Sequence, residues 1–225
     1  MASPPKHLMP SAIGRDPFPH EVVVEHQRER VIEAAIEVFA KRGYRGATVG
    51  NLVSTAKVGI NSFYSIFQGK EDCFLAVHDQ IAAEAREWMV AAMPAGAEWP
   101  QQATAVLGAL LELIEQKPLA ARIALVEVHT AGPAARSQHE RCLDEVTVLL
   151  RGGREHSAVS DELPETLEYA TVGGLAWLLQ QRIASGEAAG ITKLLPEVLE
   201  IVVEPYLGEA ATAELIGRAV KSPGS

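Results

Sequence analysis

A chain of 225 residues with 48% hydrophobic content is long enough to bury its own core without a metal or disulfide staple. Its two cysteines, Cys73 and Cys142, fit a reduced compartment better than a disulfide framework, and no apolar run approaches the roughly 18 residues needed to cross a bilayer, so a soluble, cytoplasmic protein without a membrane partner is expected. A formal net charge of -9 speaks at first against nucleic acid, because Lys and Arg on phosphates supply most non-specific affinity.

Residues 1–20 carry Pro4, Pro5, Pro10, Pro17 and Pro19 with little apolar periodicity and read as a flexible arm. From there the pattern is helical almost throughout, without strand-length alternation, so an all-α fold is expected. The first helix runs from about Val24 to Arg42, with Ile32, Ala35, Ile36 and Phe39 on one stripe and Gly43 as its stop. Thr48 is a good N-cap for a short second helix bearing Val49, Leu52, Val53 and Ala56. A tight turn of Lys57, Val58 and Gly59 leads to a third helix from about Ile60 to Phe67, where Ile60, Phe63 and Phe67 are expected to face inward and Asn61, Ser62 and Ser65 outward. Three such short helices bury only one another.

Charge is distributed unevenly. From Val24 to Lys70 there are seven basic residues against four acidic ones, a local +3, which leaves the rest of the chain at -12. Such asymmetry allows one end alone to meet DNA. Short polar Asn and Ser at the start of a third helix are of the type that reads base edges in the major groove while the preceding helix braces the backbone.

A long helix is expected from Glu71 towards Met93, then helices from about Pro100 to Gln116, Pro118 to Thr130 and Pro133 to His156. The last pair, Pro164 to Glu187 and Lys193 to Leu207, is joined by so short a link that the two should lie antiparallel. Gly173 and Gly174 are costly inside a helix unless another helix packs closely, so a subunit interface is expected on Leu167, Ala170, Gly174 and Leu178 of the first and Val198 and Val202 of the second. Trp88, Met89, Met93, Trp99 and Trp177 are the residues expected to line a pocket between helices.

The stretch from Arg30 to Phe74 resembles the DNA-binding region of TetR-type regulators. It shares the alanines and phenylalanine of the first helix, Gly43-Tyr44, Thr48-Val49, Phe63-Tyr64, Phe67 and Lys70-Glu71. The resemblance implies a helix-turn-helix over 21–70, an effector-binding and dimerisation body over 71–225, and a homodimeric repressor released from a near-palindromic double-stranded DNA operator by a small-molecule effector. Carried over by position, Thr48, Tyr64 and Lys70 would meet phosphates, Asn61 and Ser62 would read bases or backbone, and Arg45 and Lys57 would add phosphate contacts. Lys57, Gly59 and Asn61 depart from the family's usual Gly, Ser and Gly, and a Lys in a left-handed turn costs about 1 to 2 kcal/mol.

Two rivals remain at this level. An enzyme is disfavoured because no nucleophile elbow, zincin, P-loop or dinucleotide motif is present, and His78, His129, His139 and His156 fall on different segments, where each is expected to be structural or on the surface; no metal or cofactor is expected. The other is a helical ligand- or protein-binding module that has lost DNA recognition.

Overall fold

A computed structural model describes residues 20–221, with side chains over 24–219; the expected arm at 1–20 thus lies, His20 apart, outside the described residues. Ten α-helices follow in order: α1 His20–Gly46, α2 Val49–Ala56, α3 Ile60–Ile66, α4 Lys70–Ala92, α5 Trp99–Gln116, α6 Pro118–Leu125, α7 Pro133–Arg151, α8 Leu167–Ala184, α9 Leu195–Leu207 and α10 Glu209–Lys221. Short 3-10 turns at Glu127–Thr130 and Gly152–His156 take over where α6 and α7 were expected to continue. No strand occurs among the described residues.

Two apolar cores hold the chain. The first packs Val31, Ala35 and Phe39 of α1 against Leu52, Phe63 and Phe67, and it does not stop at residue 70: Phe74 and Val77 of α4 and Ile123 of α6 complete it. Phe74 meets Phe39 and Tyr44 edge-on, each with ring centroids 5.2 Å apart. The second core gathers Leu111, Val172, Leu179, Val198, Val202 and Tyr206 from α5, α8 and α9. Helix α4 contributes to the first core and also packs along α5.

The closing arrangement differs from the expected hairpin. Helix α9 packs chiefly along α5 and α10 and meets α8 only locally. Beyond Leu207, where no further helix is expected, lies α10, whose Thr212 and Leu215 are buried and whose start is set off by Gly208. Trp99 is no pocket residue either. Its ring lies against Tyr206 at 5.1 Å and over Gly152 and Gly153, where a Cβ on Gly153 would come within 2.7 Å of the indole. Nearby, the wholly buried Glu168 carboxylate takes hydrogen bonds from Arg154 Nε at 2.6 Å and Tyr206 Oη at 3.0 Å. Burial works against that charge, yet these donors hold the carboxyl below its ordinary range.

Candidate functional site

The α2–turn–α3 unit is built by local chemistry. Thr48 is extended and caps α2 reciprocally with Asn51: the Asn51 N–H donates to Thr48 Oγ1 at 3.2 Å, and the Thr48 N–H donates to Asn51 Oδ1 at 3.1 Å. Its hydroxyl donates to the same oxygen at 2.9 Å, so the groups expected to meet a phosphate are already engaged in the cap. Lys57 adopts φ 54, ψ 44, alone among described non-glycine residues in the positive-φ region. Arg30 offsets that strain from α1, its Nη2 donating to Ala56 O at 2.6 Å and Lys57 O at 3.0 Å. The turn is thus clamped from behind, a role for Arg30 that the sequence pattern did not reveal.

On α3, Phe63 and Phe67 turn inward as expected, but Ile60 does not. It is 52% exposed and stands on the open face with Asn61, Tyr64 and Ser65, because one turn at the start of so short a helix projects beyond the core. Ser62 is half-buried, and Ser65 Oγ donates to its carbonyl at 2.8 Å. Between Ala47 and Gly69 there is no carboxylate, whereas Glu25, Glu29, Glu33 and Glu37 all stand exposed on α1. Arg45 and Lys57 are exposed. Lys70 is less available: Nζ donates to Tyr44 O at 2.8 Å and Ala47 O at 3.0 Å and lies 4.2 Å from the centre of the Tyr44 ring, which leaves one N–H for an outside partner.

A second feature is a partly open cavity of about 190 Å³ lined by α4 to α8. Of the five residues expected to line a pocket, Met89 alone lines this one: Trp88 is half-buried outside its walls, Met93 is exposed just past the end of α4, Trp99 packs on Tyr206, and Trp177 is 62% exposed beside a second hollow. The walls are apolar, with Leu110, Leu113, Ala124, Leu143 and Leu175 among them. At one corner the fold assembles histidines that the sequence scatters: His139 lies edge-to-face with His129 at 5.3 Å and with His78 at 6.2 Å. His78 is 2% exposed and neither ring nitrogen has a hydrogen-bond partner. Burial pushes its pKa down, and burial with the neighbouring His129 and His78 pushes His139 to about 4. Both imidazoles are neutral near pH 7.

Glu127, just beyond the cavity-lining α6, ties that helix to the end of α1. Its Oε2 accepts the Tyr44 N–H at 2.9 Å, and Oε1 faces Arg122 Nε at 3.4 Å. Gly43, at φ 69, makes room for it, since a Cβ there would stand 3.2 Å from the carboxylate.

The expected interface residues divide. Val198 and Val202 are buried in the second core of this same chain, which leaves them no surface to offer a partner. Ala170 and Gly174 are exposed on α8 beside Tyr169, Gly173 and Trp177, while Leu167 and Leu178 are half-buried. Within the subunit nothing lies within 4 Å of where a Cβ would be on Gly173 or Gly174.

Residues 31–77 match the sequence model described as "Bacterial regulatory proteins, tetR family". The chain is 28% identical over 183 residues to the HTH-type transcriptional repressor AcnR of Corynebacterium diphtheriae, covering 79% of this chain and 90% of that one. In structure it resembles the fatty acid degradation regulator FadR of Bacillus halodurans, with TM-score 0.69, 17% identity and coverage of 78% and 94%. It also resembles the transcriptional regulator FadR of Bacillus subtilis in complex with stearoyl-CoA, with TM-score 0.65, 20% identity and coverage of 80% and 98%.

Proposed function

We propose that the chain is a TetR-type DNA-binding transcriptional regulator that represses as a homodimer on a near-palindromic operator and lets go when a small molecule fills the cavity among α4 to α8, a reading supported by the match of residues 31–77 to the tetR-family model and by the likeness to a transcriptional repressor. The observation that carries this reading is the helix-turn-helix itself, capped by Thr48, clamped by Arg30 and free of carboxylates from Ala47 to Gly69. In this reading residues 21–70 serve DNA and 71–225 serve effector and partner, with α4 shared between them. Asn61 and Ser62 enter the major groove, while Arg45, Lys57, Tyr64 and the remaining Lys70 N–H meet phosphates; Thr48, whose N–H and hydroxyl are both used in the cap, serves by fixing the start of α2.

The exposed α8 face around Ala170, Gly174 and Trp177 is the surface for the second subunit, whose helix would rationalise the paired glycines. Half-sites should then lie about one helical turn apart or slightly more. The effector need only favour the conformation unfit for DNA by about 1 to 3 kcal/mol. A gel-shift titration on the DNA upstream of its own gene, at several salt concentrations, tests the reading. Salt-dependent binding is expected; its absence there and on genomic fragments would refute DNA recognition.

A further inference from the structure

The corner at His78 and His139 limits what the cavity can hold. A buried polar nitrogen without a partner is costly, and both nitrogens of His78 are in that state while the side chain lines an otherwise apolar cavity. A neutral imidazole offers one donor and one acceptor, so His78 and His139 together suit a group that hydrogen-bonds without carrying charge.

The rim points the same way. The only charged side chains lining the cavity are Glu84, Arg86, Lys117 and Glu145, and they are paired: Arg86 Nε with Glu145 Oε2 at 3.1 Å, and Lys117 with Glu84. No lining cation is left over for an anionic ligand among the described residues. Around the corner itself, Asp79, which takes a hydrogen bond from Gln138 Nε2, favours protonation of His78 and Arg141 opposes it, and burial prevails to keep the ring neutral.

We propose that the effector is an uncharged, mainly apolar molecule with a single hydroxyl or carbonyl group that hydrogen-bonds to His78 and His139. At about 190 Å³ the cavity holds roughly a dozen non-hydrogen atoms. The inference rests on reading this cavity as the effector site, and it separates this chain from a regulator whose pocket anchors an anionic head group.

Calorimetric titration of the full chain at pH 7.5 with three ten-carbon probes, 1-decanol, decanoate and decyltrimethylammonium, tests it. 1-Decanol should bind at least about tenfold more tightly than either ion. His78→Phe and His139→Phe should each weaken 1-decanol binding about tenfold with helical circular dichroism unchanged. Binding of decanoate or the ammonium probe as tightly as 1-decanol, no binding by any probe, or unchanged 1-decanol affinity in both folded variants would each overturn the proposal. The comparison of probes on the unaltered chain stands even where a variant fails to fold. Binding to the upstream DNA, measured without probe, separates the two readings. DNA binding with the wrong probe preference defeats this inference alone, and 1-decanol selectivity without DNA binding defeats the regulator reading alone.

Discussion

Replacing Glu127 by Ala removes the acceptor for the Tyr44 N–H, and the loss can be sized. The residue is 6% exposed and its bond to that amide is 2.9 Å long. A hydrogen bond to a charged group contributes about 1.5 to 3 kcal/mol. The partner Arg122 adds little, since its side chain is 35% exposed, the 3.4 Å contact is long, and Nε finds no hydrogen-bond acceptor; about 0.5 kcal/mol is a fair share. The expected cost of Glu127→Ala is therefore about 2 to 3 kcal/mol. For a chain of this size that lowers Tm by roughly 5 to 10 °C. Glu127→Gln keeps a carbonyl oxygen for Tyr44 and should cost under about 1 kcal/mol. Urea titration and scanning calorimetry of both variants measure this. A Glu127→Ala cost below about 0.5 kcal/mol, or Glu127→Gln as damaging as Glu127→Ala, would refute the assignment of the stability to the Tyr44 bond.

Three further outcomes follow from the same geometry. The unfolded His139 binds a proton with the ordinary pKa of 6.5 and the folded one only at about 4, so its contribution is full above 6.5 and lost as pH falls through that window. Urea midpoints should show about 3 kcal/mol of this loss by pH 4, and His139→Leu should flatten it. Gly174→Leu should shift the sedimentation profile towards monomer, whereas Val202→Ala should cost about 2 kcal/mol of stability and leave association unchanged. Lys70→Ala should weaken all DNA sequences alike, with the slope of log affinity against log salt reduced by about 1, and lower stability by about 1 kcal/mol as the Tyr44 and Ala47 carbonyls lose their donor.

Local chemistry was legible in the sequence and long-range placement was not. The Thr48 cap and the inward Phe63 and Phe67 each follow from residue type and a spacing of a few positions, whereas the left-handed Lys57, which residue type opposes, was implied only by the resemblance. Ile60 misled because periodicity assigns a stripe without saying how far the core extends beneath it. Val198 and Val202 misled in the opposite way, since an apolar stripe looks the same whether it faces its own subunit or another. The histidine corner had no signal at all: His78, His129 and His139 belong to separate segments, and their meeting is a property of how α4, α7 and the Glu127–Thr130 turn pack together. Arg30 was hidden for the same reason, as its acceptors lie 26 and 27 residues away.

Helix α6 has two jobs that bear on how occupancy of the cavity reaches DNA. Ala120, Ala121, Ala124 and Leu125 form part of the cavity wall, Ile123 on its other side sits in the first core, and the chain then delivers Glu127 to Tyr44 two residues later. Close-packed helices move as units, so a displacement of α6 that admits a ligand must also move the Glu127 carboxylate relative to Tyr44. The bond at stake contributes about 2 kcal/mol, the same size as the 1 to 3 kcal/mol that allosteric release requires. One hydrogen bond made in one state and strained in the other therefore suffices. Glu127→Ala should leave 1-decanol affinity within about twofold of the unaltered chain and reduce the ligand's effect on DNA affinity by at least fivefold. A variant that releases DNA as fully as the unaltered chain would place the coupling elsewhere on α4, which packs on both α1 and α5.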